Sequence, residues 1–328
     1  MPRFLIIFVL LAGLAAGGWY VAQKYNLPGI EQLGIFPGRA PAGAGVPVAP
    51  APAPKVPSRQ TFRLAVLNLE TLDANKLAQP RVREVLGQVL ARFDLIAIPD
   101  MRAGNQGLLV RLIEQAQAVS KRSFDYAAPQ TVQLEAVERY AAFVFDRSII
   151  EVDRSMVFAV ADPARHFRCK PLVGVFRAKG PSAAEAFTFT LVAVASDPRR
   201  PNEEAELLDD VYRAVRDDGR NEDDVLMLGT FNLEEHPLRQ LEESLNLVHV
   251  VEGVPTTTRG TLCADNILLS RRATAEFTGR WGVVDLVREF NLTIQEAVEI
   301  TEHLPVWLEC SVYEGGQPGH VPGATPTN

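Results

Sequence analysis

From Val225 the chain reads Val-Leu-Met-Leu-Gly-Thr-Phe-Asn, and this stretch constrains the fold more than any other. Four apolar residues end abruptly at Gly229, and short polar residues follow at once. A buried strand has this pattern where it delivers a loop to the carboxyl edge of a sheet, the edge at which α/β folds keep their chemistry. Asn232 then stands where a side-chain amide can meet a substrate. A site that handles phosphate and metal would want a carboxylate two residues earlier, and the chain offers Thr230.

The chain has 328 residues, enough for one large domain or two small ones with a sizeable core. Its net charge of −7 argues against holding nucleic acid by bulk electrostatics, which needs a basic face. Local contact with a polyanion through a metal and a few arginines stays open. Cys169, Cys263 and Cys310 are widely spaced and form no CxxC pair, so a zinc site is not expected and at most one disulfide can form. Free structural cysteines are the favoured state.

Residues 4–22 are almost uniformly apolar, a run of 19 preceded by Arg3 and followed by Gln23 and Lys24. That length just crosses a bilayer core as a helix. Small residues after the most hydrophobic part (Ala15, Ala16, Gly17, Gly18) leave a cleaved signal peptide, and hence a secreted protein, as the alternative. The run continues through Trp19, Tyr20 and Val21, past where cleavage would fall, which favours an uncleaved anchor with an aromatic pair at the interface. The expected localisation is therefore membrane, single-pass, with everything after residue 25 outside the cytoplasm. Residues 26–60 become rich in Pro, Ala and Gly, including Val-Ala-Pro-Ala-Pro-Ala-Pro at 48–54. Proline fixes φ and removes a donor, so this segment is expected to be an extended, semi-rigid spacer.

A globular domain is expected over residues 61–314, with a disordered Gly/Pro-rich tail over 315–328. Apolar patterning predicts strands at 62–68, 94–98, 141–145, 149–160, 172–176, 187–196, 225–228, 265–269 and 306–312. The strand at 94–98 is expected to be broken by Pro99 and to end at Asp100, and 141–145 and 149–160 to pair around Asp146-Arg147. Helices are predicted at 80–93, 107–119, 203–216 and 294–301. Strands outnumber helices and several strand-then-helix units alternate, which predicts an α/β fold with two packed sheets and helices outside.

Several strand ends finish in polar residues that can converge on one edge: Asn68, Asp100, Ser196, Asn232, Asp265 and the pair Glu302-His303. Asn, acidic residues and His on separate strand ends suit a metal-assisted phosphodiesterase, in which hard oxygen ligands hold the cation and His moves a proton.

The order of these residues resembles the endonuclease/exonuclease/phosphatase family, and within it the secreted pancreatic-type deoxyribonucleases. The likeness runs from about Arg63 to Cys310. Leu67-Asn68 stands where the family's first strand ends in F-N, and the segment from Asp94 to Asp100 matches D-I-x-x-I-Q-E. Glu138-Arg139-Tyr140 opens a segment like E-R-Y-x-F-x-F-R, and residues 193–198 resemble A-L-H-S-A-P. Leu228-Gly229-Thr230-Phe231-Asn232 resembles M-G-D-F-N, residues 264–267 resemble Y-D-R-I, and residues 301–306 resemble S-D-H-x-P-V. Each match is short; seven in order make the signal specific. The resemblance implies a four-layer α/β/β/α sandwich of two mixed sheets (DNase I-like), and Mg²⁺ or another divalent cation if the protein is active.

The departures bear on function. The resemblance implies two catalytic His residues, each oriented by a carboxylate; the first position is Ala195, which has no proton to exchange. The Asp of G-D-F-N is Thr230, and the metal-binding Glu is shortened to Asp100, with Asn68 as its companion at the metal. The final Asp is lengthened to Glu302, the carboxylate expected to orient His303. Glu138, which supports the first His in the family, has lost that partner. Arg168 lies near the family's phosphate-contacting R-E-P, and Asn68, Asn232, Asp265 and His303 are intact by residue type. His236, in an expected loop four residues past Asn232, is the one candidate to replace the missing proton carrier, whereas His249 reads as structural. Cys263 occupies the position of a disulfide cysteine, but its partner position is Glu235, so the bridge is not expected.

Losing one general acid or base costs about 10²–10⁴ in rate, so ordinary family catalysis should be close to background. The expectation is a membrane-tethered, catalytically impaired binding module, with a nucleic acid, another phosphodiester or a protein as partner. A divergent metal-dependent phosphodiesterase using Asp100 and His303 is the alternative.

Overall fold

In the computed structural model the described residues are 60–102, 106–129 and 139–317. The expected membrane span, the Pro/Ala-rich linker, Glu138 and nearly all of the Gly/Pro-rich tail lie outside them. Among the described residues, no helix is long and apolar enough to cross a membrane.

Among the described residues the strands sort into two sheets of six. The first contains β1 (Thr61–Val66), β2 (Leu95–Arg102), β3 (Phe124–Ala127), β4 (Arg139–Asp146), β11 (Phe277–Val283) and β12 (Val306–Ser311), in the order β11-β12-β1-β2-β4-β3. The second contains β5 (Ile150–Ala159), β6 (Cys169–Ala178), β7 (Thr188–Ala195), β8 (Val225–Thr230), β9 (Val248–His249) and β10 (Asp265–Leu269), in the order β5-β6-β7-β8-β10-β9. Each sheet is mixed: β1 pairs parallel with β2 and β7 with β8, while the other pairs are antiparallel.

Three apolar layers hold the sandwich together. Phe62, Leu64, Phe143, Phe176, Phe189, Leu226 and Leu308 fill the space between the sheets, where side chains of alternate strand positions interdigitate. Outside the first sheet, α1 (Ala74–Ala78), α2 (Pro80–Leu90) and α3 (Gln106–Ser120) pack through residues such as Val85, Val89 and Leu112. Outside the second, α4 (Pro201–Arg216) and α5 (Glu235–Leu245) bury Leu208, Tyr212 and Leu241. Two short helices, α6 (Leu286–Glu289) and α7 (Ile294–Ile300), complete the first layer. The α7 turn is closed by a capping box in which Thr293 and Glu296 satisfy each other's backbone N–H groups. The arrangement is the four-layer α/β/β/α sandwich of two mixed sheets.

Two local expectations are corrected. The strand at 94–98 does not stop at Pro99; β2 continues to Arg102, with a register shift against β4 between Ile98 and Met101. The missing N–H of Pro99 is tolerated because it sits in that irregularity, which also re-aims Asp100. Residues 141–145 and 149–160 are not a pair: β4 bonds to β2 and β3, whereas β5 bonds to β6 in the other sheet. The turn at 146–149 carries the chain between sheets. Apolar alternation shows that each segment is a strand without showing whose backbone it meets. Strands β3 and β11, which lack a long apolar run, were not expected, and neither was α5.

The parallel pairs set up the site. In β7 and β8, Ala195 lies opposite Thr230, and in β10 Asp265 lies opposite Thr230 from the antiparallel side. Gly229 permits this close approach: its φ is 149°, and a Cβ there would lie 1.9 Å from the Val194 carbonyl oxygen. In the other sheet Val66 is in register with Ala97 and Val306, so residues just beyond these positions share an edge with Thr230 and Asp265.

Candidate functional site

The strand ends surround a cleft of about 240 Å³, lined in part by Asn68, Glu70, Asp100, Arg168, Ala195, Thr230, Asn232, Arg259 and His303. Its floor is a chain of buried hydrogen bonds. His303 Nδ1 lies 2.7 Å from Asp265 Oδ2, the Thr230 hydroxyl donates to Asp265 Oδ1 at 2.6 Å, and Asn68 Nδ2 donates to Thr230 Oγ1 at 2.8 Å. Asp265 and Thr230 are 1 % and 2 % exposed, so each bond is made away from competing water. The Asn68 side-chain Oδ1 accepts from the Glu70 N–H at 2.8 Å, and Glu70 lines the cleft. Thr301 ties the two walls together: its hydroxyl donates to the Asn68 backbone carbonyl at 2.9 Å and accepts from the His303 N–H at 3.2 Å.

The carboxylate that orients His303 is therefore Asp265, not Glu302. Glu302 is exposed and lines the cleft, where its charge adds to the rise of the His303 pKa, while its backbone carbonyl accepts from the Thr258 N–H at 2.9 Å. Asp265 sits 38 residues earlier in sequence, and only the antiparallel return of β10 beside β8 brings it under the imidazole. With Nδ1 engaged, His303 Nε2 faces the cleft and Glu70, whose Oε1 is 3.9 Å away. Burial pulls the His303 pKa down, but the charge of Asp265 and its hydrogen bond outweigh this and raise it above the ordinary value.

Asp100 is placed at the cleft but is engaged by cations. Arg139 Nη1 donates to its Oδ1 at 2.5 Å and Arg168 Nη2 lies 3.7 Å from its Oδ2. Arg168 also donates to Glu70 Oε2 at 2.6 Å. Asp100 is 1 % exposed, and burial raises its pKa although both arginines oppose the shift.

The family resemblance implies a divalent cation here, and the donors do not fit one. The carboxylate of Asp100 is balanced by guanidinium groups, the Thr230 hydroxyl spends its proton on Asp265, and Asn68 spends its oxygen on a backbone N–H. Among the described residues, no three carboxylate, imidazole or thiolate ligand atoms of this cleft lie within 4.8 Å of one another. A hard cation needs several oxygens free to converge on it.

The other expected residues fall as follows. Asn232 is at the cleft in a left-handed conformation (φ 55°), and its Nδ2 donates to the Ser196 carbonyl at 2.9 Å. Ala195 is in the cleft wall, where it presents a methyl group. His236 is not in a loop: it belongs to the first turn of α5, is exposed, and does not line the cleft. His249 is held by Glu242 across 2.5 Å. Beside the cleft, and outside the expected set, Arg199 is turned to Asp197, whose carboxyl is lowered to about 2 chiefly by that guanidinium. Cys263, like Cys169 and Cys310, is a free thiol. Glu70, Arg139 and Arg259 were missed. Arg139 was visible in the E-R-Y match, and Glu70 lies only two residues past Asn68, but nothing in the pattern tied either to Asp100 or Arg168.

No protein-family model matches the chain. Mouse deoxyribonuclease-1-like 2 is 26 % identical over 258 residues, covering 75 % of this chain and 90 % of the relative. Deoxyribonuclease-1-like 1 of Chlorocebus aethiops is 28 % identical over 265 residues, covering 76 % and 84 %. Among solved structures, truncated TDP2 of Caenorhabditis elegans superposes with a TM-score of 0.52 at 10 % identity, over 76 % of this chain and 98 % of that one. The fold and the resemblance are those of the endonuclease/exonuclease/phosphatase family. A protein of that family from Bacteroides thetaiotaomicron gives a TM-score of 0.50 at 11 % identity, over 76 % of this chain and 97 % of its own. Within the family the sequence likeness is to the deoxyribonuclease-1-like proteins, as the motif order implies.

Proposed function

We propose that this chain is a membrane-tethered, extracytoplasmic endonuclease/exonuclease/phosphatase-fold domain that binds a phosphodiester-bearing ligand and turns it over poorly or not at all. The observation that carries this reading is the pairing of Asp100 with Arg139 and Arg168: the carboxylate expected to hold the metal instead holds two cations. Ala195 removes the second proton carrier, and Thr230 replaces a charged ligand by a hydroxyl already engaged with Asp265. Arg168, Arg259 and the raised pKa of His303 supply positive charge for an anionic ligand. The apolar run at 4–22 and the Pro/Ala-rich stretch after it support the tether and spacer.

Assays of the purified protein with Mg²⁺, Mn²⁺ and Ca²⁺ on DNA, RNA and small phosphodiesters test the catalytic part; turnover abolished by His303→Ala would sink it. Fluorescence anisotropy with a short oligonucleotide tests binding, which Arg168→Ala should weaken. Carbonate extraction of membranes tests the tether, with the protein expected in the pellet.

The intact Asp265–His303 pair favours a second reading, a divergent metal-dependent phosphodiesterase. It requires Asp100 to leave Arg139, and it predicts divalent-metal binding that Asp100→Ala removes.

A further inference from the structure

A second constellation lies at the far end of β8. That strand starts after Asp224 and ends at Thr230 in the cleft, and six strand residues span about 20 Å. The two ends are separate environments. At the far end Asp224, Glu276 and Glu314 converge, each offering a carboxylate oxygen within 4.8 Å of the others. They come from three places in the chain: Asp224 precedes β8, Glu276 precedes β11, and Glu314 opens the short 3₁₀ turn after β12.

Proximity of acids alone is common on protein surfaces, but these are not surface groups. Asp224 is 1 % and Glu276 is 2 % exposed. Asp224 Oδ1 and Glu276 Oε2 are buried with no hydrogen-bond partner among the described residues. A buried, unpaired carboxylate oxygen is costly, and two side by side repel. Other contacts hold the group in place. Glu276 Oε1 accepts from the Gly315 N–H at 2.5 Å, Glu314 Oε2 accepts from the Thr188 N–H at 3.3 Å, and the Ser311 N–H donates to the Glu276 carbonyl at 2.8 Å. Glu276 and Glu314 are thus held by backbone N–H groups, while Asp224 Oδ1 and Glu276 Oε2 have no partner.

A donor set made only of carboxylates selects a hard cation. Two oxygens on one Ca²⁺ at about 2.3–2.6 Å stand at most about 5 Å apart, which matches the observed spread. We propose that Asp224, Glu276 and Glu314 form a structural site for a hard divalent cation of the calcium class, fastening the starts of β8 and β11 to the turn after β12. The site is independent of the cleft.

The test uses the full-length chain, stripped with EGTA and titrated with CaCl₂ by calorimetry and thermal unfolding. One bound Ca²⁺ is expected, with Tm raised by about 5 °C at a hundredfold excess over its dissociation constant. The double variant Asp224→Asn, Glu276→Gln keeps the shapes and removes the charges, and it should lose both effects. Glu314→Gln, at a partly exposed position, should weaken the affinity at least tenfold even if the buried pair proves intolerant of change. Absence of Ca²⁺ binding up to about 10 mM, beyond the range of weak extracellular sites, would overturn the proposal. So would binding that persists undiminished in the variants, which would put the cation elsewhere, or stability that depends on pH alone.

Discussion

The two sides of the cleft have kept different things. On one side the Asp265–His303 pair has the geometry of an oriented proton carrier, with the second Asp265 oxygen fixed by Thr230. On the other, Ala195 offers no proton and Asp100 is locked to Arg139 with Arg168 close by. Both sides are delivered by strand ends, although Asp100 sits in the register shift of β2 between Ile98 and Met101. The difference lies in what balances each carboxylate: an imidazole that can exchange a proton, or a guanidinium that cannot. One set of strand ends can therefore hold two buried carboxylates that are balanced in different ways.

The largest expected effect breaks the static side. Asp100→Ala leaves Arg139 with only Glu70, 3.9 Å away, in a mostly buried setting, and removing one member of such a pair costs about 3 kcal/mol. Urea denaturation should show a clear fall in the midpoint with an unchanged slope; a near-neutral result would mean that Asp100 is free for a ligand, which would bring the two sides back together.

A smaller effect sharpens the other side through pH. His303 has its pKa raised above 6.5, so the folded state binds the proton more tightly than the unfolded chain. Its contribution to stability is fully present below about pH 6.5 and is lost as pH rises through the folded value. The difference in Tm between the wild type and His303→Gln should shrink from pH 6 to alkaline pH. A difference that grows in that direction would mean that the histidine is neutral when folded.

The smallest expected effect is on hydrolysis. Turnover of bis(p-nitrophenyl) phosphate should be near background and should not change in His303→Ala, whereas a working general acid would show a loss of about 10²–10⁴.

How much of the site was legible in the sequence follows from the range of each interaction. Ala195 and Thr230 were visible as replaced letters because short motifs run along single strands. Asn68, Asn232, Asp265 and His303 were legible as polar strand ends, and they do share one edge. The partner of His303 was not legible. Glu302 is its neighbour in sequence and lines the same cleft, but the imidazole Nδ1 is met by Asp265, 38 residues earlier, which only the sheet pairing brings there. His236 was misplaced for a related reason: α5 begins at Glu235, so the residue leaves the cleft on a helix.

The amino-acid sequence by itself determined the strands and helices that carry a long apolar pattern, the order of the motifs, and Ala195 and Thr230 as departures from them, because each is a property of a few consecutive residues. Tertiary structure alone decided that β4 and β5 belong to different sheets, that Asp265 serves His303, and that Arg139 and Arg168 close on Asp100. Those are pairings across tens of residues, set by which backbones meet in the sheets and by burial that forces each charge to find a partner.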